Sequence, residues 1–503
     1  MTLQKIYSAV CDAALISTAA DALQWDERTG MPAAGSEYRS EQVAALRTRA
    51  HELSTEPQLQ DWLSMSDDEL GVAPESVDAG NLRLLRRDIA KQSVLPSELV
   101  HRTAKLTSRG QSVWQTARAK NDFQSLAPVL EQIFDARREA GELLSSISGG
   151  SAYDGLLDEY EPDGRSDQIA SVFAAMRPAL VQLIAEHTTP PGDPDAAVMR
   201  QSFAIDGQRR LANWAAETIG FDFGRGRLDE TTHPFCTTLG PNDIRILSRY
   251  ETDWLPGGLY GSLHEAGHGM YEQGLPVDSF GLPAGTYASL GVHESQSRLW
   301  ENQVGRSPGF VRMCHRQMES IFGKLDFAPE TMHRGVNTVT PSLIRVEADE
   351  TTYNLHVMIR FDLERAIIDR ELSVADLPDA WNTRYRDDLG VTVPDDTHGV
   401  LQDVHWSAGL IGYFPTYTIG NLLSAMLFDA AANTLQLDAD DLDAESLARL
   451  KVWMADRVYR HGRLASTDSI AKSIDPDGLS HRPLLDYLRA KHSRNQSNVS
   501  AAE

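Results

Sequence analysis

Leu263-His264-Glu265-Ala266-Gly267-His268-Gly269, followed by His293-Glu294-Ser295-Gln296, is the stretch from which the rest of the chain can be read. As a helix, the first segment puts positions i and i+4 on one face, so His264 and His268 can direct both imidazoles at one ion. Glu265 lies one step round the helix, near enough to contact a water on a metal without being a ligand. Two ligands and a carboxylate base beside a water are what metal-assisted hydrolysis requires. An HExxH string arises by chance in roughly a few chains per hundred of this length, so it needs support. Gly267 and Gly269 supply some. Each costs a helix about 1 kcal/mol relative to Ala, which predicts that another backbone or a substrate approaches there. A catalytic zinc takes three protein ligands, and the third must come from another element. Glu294 lies thirty residues beyond His264, ahead of a helix-like stretch, residues 295–304. A His₂Glu site follows, with an Asp or His elsewhere as a competitor. His293 is an alternative third ligand, although a supporting role behind the ligands suits it better.

Outward from this stretch the 3.6-residue period dominates. Leu126, Leu130, Ile133, Phe134, Ala140 and Leu144 share a face, as do Ile169, Val172, Phe173, Met176, Leu180 and Leu183. Residues 342–371 and 420–434 also read as helices. Residues 235–238 and 244–250, joined by Gly240-Pro241-Asn242-Asp243, read as a β-hairpin; strands are otherwise scarce. Residues 188–195 and 393–398 are loops. The expectation is a mainly α fold with a small hairpin or sheet beside the active site, as one domain over residues 1–503. Within it, 1–225 form an N-terminal helical half, 226–491 carry the metal motifs, and 492–503 are a disordered tail.

The 503 residues include 72 Asp and Glu against 47 Lys and Arg, a formal charge of −25. Phosphate backbones and anionic membranes would be repelled, so neither nucleic acid nor membrane is an expected partner. No apolar run approaches the roughly 18 residues of a membrane span. The N-terminal segment carries Asp12 and Asp21 and reads as an amphipathic helix rather than a signal peptide, which places the expected location in the cytoplasm. Cys11, Cys236 and Cys314 are too few and too widely spaced for a disulfide framework.

The pairing of HEAGH with HESQ resembles the carboxypeptidase Taq family of metallocarboxypeptidases. Further segments similar to family motifs follow in order: His233-Pro234-Phe235, Asp243-Ile244-Arg245, Ile344 to Asp349, and Gly399 to Trp406. Trp25 to Pro32 and Tyr153 to Pro162 also look like family segments, so the resemblance spans nearly the whole chain. One position departs: where the family has Thr two places after the arginine, this chain has Leu247. The resemblance implies a large, grooved, neurolysin-like helical fold and a zinc ion that cobalt can replace. It also implies release of single C-terminal residues from peptides with broad specificity, and a homodimer.

It guides the remaining assignments. His264, His268 and Glu294 would hold the metal and Glu265 would act as general base. His405 is similar to the histidine that follows the metal motifs in neurolysin-like enzymes. With Tyr417, or Tyr413 in its place, it would donate hydrogen bonds to the oxyanion. The free C-terminal carboxylate of a peptide calls for a planar arginine fork. Arg345 is the first candidate, buttressed by Asp349 one turn later if the segment is helical; a purely structural Arg345–Asp349 pair is the alternative. Arg245 is the second candidate, and His233 could lie along the substrate backbone. Two rival functions share the chemistry or the fold: an oligopeptidase or dipeptidyl carboxypeptidase, and a catalytically silent peptide-binding protein.

Overall fold

The shared apolar faces are where the helices form. Leu126, Leu130, Ile133, Phe134, Ala140 and Leu144 line the buried side of the helix Phe123–Ser148, whose first turn is capped by Asp122 accepting the Ser125 N–H. The helix Ser166–His187 buries Ile169, Phe173, Met176, Leu180 and Leu183, with Val172 packed against the same core. In the computed structural model, which describes the backbone of residues 2–500 and the side chains of residues 2–494, the chain is 69% helical with a small three-stranded sheet.

Two compact units divide the chain. Unit 1 comprises Met1–Ile89, Gly192–Val336 and Leu427–Ile474; unit 2 comprises Ala90–Pro191, Asn337–Met426 and Asp475–Glu503. The division expected near residue 225 falls inside unit 1. Periodicity is local, whereas membership of a unit depends on where distant segments return, so the sequence does not display it.

Unit 2 is built round one apolar core, in which Phe361 meets Tyr153 and Phe173 edge-on at ring separations of 5.7 and 5.2 Å. Phe361 lies on the helix Glu350–Ile368, whose last carbonyls, Ile367 and Ile368, accept from the buried Arg138 guanidinium. This helix starts later than the sequence predicts. Asp349 caps it by accepting the Thr351 and Thr352 N–H groups, and Arg345–Glu347 is a separate 3₁₀ turn. Arg345 and Asp349 are therefore not one helical turn apart, and the expected buttress is absent. The other predicted helix, 420–434, lies within Pro415–Leu435. At the C-terminus, the helix Arg482–Ser500 continues through most of the segment expected to be a disordered tail. His492 is buried, with its Nε2 2.9 Å from Thr351 Oγ1; residues 501–503 of that tail lie outside the described residues.

In unit 1 the predicted hairpin forms. Strand β1 (Gly226–Glu230), not foreseen, runs parallel to β3 (Ile244–Ser248). Strand β2 (Phe235–Thr238) runs antiparallel to β3 on its other side, with Phe235 opposite Leu247 and Thr238 opposite Ile244. The central strand buries Ile244, Ile246, Leu247 and Ser248. At position 247 an apolar side chain suits its surroundings, because it has no exposure to water.

The helix Thr2–Thr29, like Ser166–His187, meets the length and hydropathy of a membrane span. This corrects the expectation that no segment comes close. Ser166–His187 spends its apolar residues on the core of unit 2. Thr2–Thr29 buries Ile6, Ala13 and Ala20 and pairs Asp21 with Arg47 and Asp26 with Arg39.

Candidate metal centre and associated residues

The helix Leu255–Gly274 carries the HExxH segment, with Pro256 in its first turn, where the missing N–H costs nothing. Its two internal glycines are explained by what lies against them. A Cβ on Gly269 would stand 2.6 Å from the Phe221 ring and 3.1 Å from Ile246 of β3. A Cβ on Gly267 would stand 2.7 Å from both the Gln296 carbonyl oxygen and the Ser297 Cα. The approaching backbone is thus that of the helix Leu290–Arg298, which carries Glu294. Gly267→Ala would gain about 1 kcal/mol of helix propensity. It would lose more by forcing the two backbones apart, since both opposing atoms belong to backbone and cannot swing away. The expected result is a lower Tm and a metal affinity at least tenfold weaker, read by thermal melting and by titration with zinc.

That close approach brings three ligand atoms together. One ligand atom each from His264, His268 and Glu294 lie within 4.8 Å of one another. Glu294 Oε2 is 3.7 Å from His264 Nε2 and 3.6 Å from His268 Nε2. Atoms so spaced can share an ion that each contacts at about 2.1 Å. The remaining ring nitrogens are held from behind. His264 Nδ1 lies 2.9 Å from Glu301 Oε2, and His268 Nδ1 lies 3.1 Å from the His293 carbonyl oxygen, which accepts only from a protonated nitrogen. Both contacts favour tautomers whose Nε2 lone pair faces Glu294. Glu294 itself accepts from Arg298 Nε at 2.7 Å and from Ser297 Oγ at 3.2 Å. The His293 ring has its Nδ1 2.5 Å from His268 Nδ1 and its Nε2 2.9 Å from Glu272 Oε1, so it stands behind the ligand set.

Glu265 is 6% exposed, and its Oε2 is buried without a hydrogen-bond partner. Buried polar atoms in native proteins are paired, so this oxygen is matched to a group from outside the chain. Burial pushes the Glu265 carboxyl up to about 7. Burial opposes ionisation of Glu301 too, but Arg298, His264 and Arg306 outweigh it and hold that carboxyl far below its usual range. His264 is raised: burial disfavours its charge, and Glu294 and Glu301 more than compensate. The surroundings of these atoms are arranged for a cation, which suits a divalent metal.

Glu301 and Glu272 were not picked out from the sequence. Glu301 had a legible signal, since it follows Glu294 by seven residues and Arg298 by three, on one helical face. It falls in a π-helical stretch, Leu299–Val304, a distortion that recurs at functional sites.

Of the other predicted residues in unit 1, Arg245 is committed. It donates to both oxygens of Asp243 at 3.0 and 3.1 Å and stacks 4.1 Å from the Trp25 ring. His233 is exposed. Unit 2 brings together Arg345, His405, Tyr413 and Tyr417. The His405 ring lies 5.5 Å from Tyr413, Tyr413 lies 5.4 Å from Tyr417, and the Arg345 guanidinium lies 5.2 Å from the Tyr417 ring. The partner of Arg345 is Asp403, reached at 2.8 Å, and not Asp349. Asp403 is shared with Arg360 at 2.6 Å, so two guanidinium groups face one carboxylate and a positive charge is left over. Burial pulls the His405 imidazole down to about 4, which keeps it neutral near pH 7.

Known proteins share both the sequence and the fold of this chain. The family model for carboxypeptidase Taq (M32) metallopeptidases matches residues 5–492. Thermostable carboxypeptidase 1 of Thermus thermophilus is 39% identical over 478 residues, covering 93% of this chain and 94% of the relative. Carboxypeptidase 1 of Bacillus subtilis is 33% identical over 479 residues, covering 95% of each. The crystal structure of an M32 carboxypeptidase from Deinococcus radiodurans superposes with a TM-score of 0.89 at 36% identity, covering 98% of this chain and 99% of that one.

Proposed function

Because the chain belongs to the carboxypeptidase Taq (M32) family and is a metal-dependent carboxypeptidase, we propose that it uses zinc, held by His264, His268 and Glu294, to release single C-terminal residues from peptides with broad specificity. The observation that carries this reading is the convergence of two Nε2 atoms and a carboxylate oxygen beside a buried, unpartnered Glu265 Oε2. Two imidazoles and one carboxylate match the ligand set of zinc peptidases, with cobalt a substitute. A divalent ion there supplies Lewis acidity toward the scissile carbonyl and lowers the pKa of a water molecule.

The protein's part is to handle protons and charge. Glu265 accepts the proton of the attacking water and returns it to the leaving amine. His405 is kept neutral and grouped with Tyr413 and Tyr417, which supports its use with Tyr417 as a donor to the oxyanion, Tyr413 being the alternative. Arg345 is the proposed anchor for the substrate carboxylate. Its cluster keeps an uncompensated positive charge, whereas Arg245 is neutralised one-to-one by Asp243.

The test compares a free-acid peptide with its C-terminal amide. Wild type should strongly prefer the acid. Arg345→Ala should keep its metal, raise KM and lose most of that preference, by about 2–5 kcal/mol in kcat/KM. Lys at this position should rescue only partly, since it restores charge but not the planar fork. An unchanged acid-to-amide ratio would pass the role to Arg245. If wild type cut both peptides equally well, the oligopeptidase reading would replace this one.

A further inference from the structure

Glu364 is fully buried in unit 2 and takes no part in the chemistry proposed above. Its hydrogen bonds come from three neutral donors. Tyr153 Oη donates to Oε2 at 2.7 Å, Trp406 Nε1 to Oε1 at 2.8 Å, and the Gly412 N–H to Oε2 at 3.1 Å. A buried carboxylate is costly even when so satisfied, and burial pushes this one up to about 7. What its donors hold in place is therefore informative. Trp406 directly follows His405, and Gly412 directly precedes Tyr413.

Four residues before Glu364, on the same helical face, Arg360 donates to Asp403 at 2.7 Å and to Gln402 at 2.8 Å. The turn-rich segment 402–412 is thus tied to one face of the helix Glu350–Ile368 at both of its ends, with His405 between the ties. Gly412 has φ +89°, and a Cβ there would stand 2.9 Å from Leu157 N, so only glycine fits at this end of the segment.

We infer that Glu364 is a positioning residue for the reaction, fixing through Trp406 and Gly412 the segment that presents His405 and Tyr413. This rests on the reading of His405 as an oxyanion donor. The acceptor geometry requires a carboxylate. A Gln amide would keep the size, but its NH₂ would face a donor at one of the three contacts.

The experiment measures kcat, KM and bound zinc for Glu364→Gln, His405→Gln and the double variant. His405→Gln should lower kcat about 10²–10³-fold. Glu364→Gln should lower it roughly 10–100-fold, since small misplacements of a catalytic group cost that much, with KM and zinc content within about twofold of wild type. The double variant should be no slower than His405→Gln alone, because the tie has nothing left to position. Multiplicative effects would show that Glu364 acts by another route and would overturn the inference. So would a Glu364→Gln enzyme with wild-type kcat beside a slow His405→Gln. A His405→Gln enzyme with normal kcat would sink the reading of His405 and this inference with it. If Glu364→Gln fails to fold, Trp406→Phe removes one donor to the same carboxylate while keeping an aromatic ring at that position. The same loss in kcat and the same epistasis with His405→Gln are then expected, and their absence would overturn the inference.

Discussion

Glu265→Gln is expected to keep the divalent metal and lose essentially all peptide turnover. The carboxylate lies outside the three atoms that converge on the ion site, so removing its charge leaves the two imidazoles and Glu294 as they are. Gln has almost the same volume, which matters at 6% exposure, where a cavity would add a stability cost of its own. What Gln lacks is the ability to take a proton from water. Loss of a general base typically costs 10²–10⁴-fold in rate. The measurement is kcat on a free-acid peptide, together with zinc content by elemental analysis and a thermal melt. Near-normal turnover would remove Glu265 from the proton transfer. Loss of zinc with retention of fold would make it a ligand.

Glu294→Ala should do the reverse and empty the site. Two imidazoles hold a divalent ion poorly, and a catalytic zinc ordinarily has three protein ligands. The truncation also removes one of the two carboxylates that face Arg298, whose Nε donates to Glu294 at 2.7 Å and whose Nη1 reaches Glu301 at 3.4 Å, so less negative charge offsets that guanidinium at the ion site. Both effects weaken binding. After dialysis the variant should carry little zinc, with turnover at background, while wild type keeps its ion under the same conditions. Excess zinc in the assay should restore little activity. Full occupancy would move the third ligand elsewhere. His293 is poorly placed to replace it, because its two ring nitrogens already face His268 and Glu272.

Some of this was legible without a structure because it is written at helical or strand spacing. His264 and His268 at i and i+4, the two core-facing helices of unit 2, and the hairpin round Gly240 to Asp243 all obey local rules. The two glycines at 267 and 269 announced a close approach, and only the partner was unknown. Local rules fail where the partner is remote. Residues 342–349 have helical composition, yet Arg345 finds Asp403 fifty-eight residues on, and Asp349 spends its carboxylate on capping. Nothing in the local sequence marks Glu364, because its donors Tyr153, Trp406 and Gly412 come from remote segments.

What the sequence determined by itself was the donor set and its chemistry: two imidazoles on one helical face, a neighbouring carboxylate for the water, and a glutamate far enough along the chain to come back. Helical geometry alone dictates that much, because 3.6 residues per turn leave little freedom over five positions. Only the tertiary structure decided that the HESQ helix packs on Gly267 closely enough to bring Glu294 within 4 Å of both histidines. It also decided that His293 stands behind the ligands, and that two arginines share one aspartate. Those outcomes depend on which groups are desolvated together, and burial is set by packing between segments that lie tens to hundreds of residues apart.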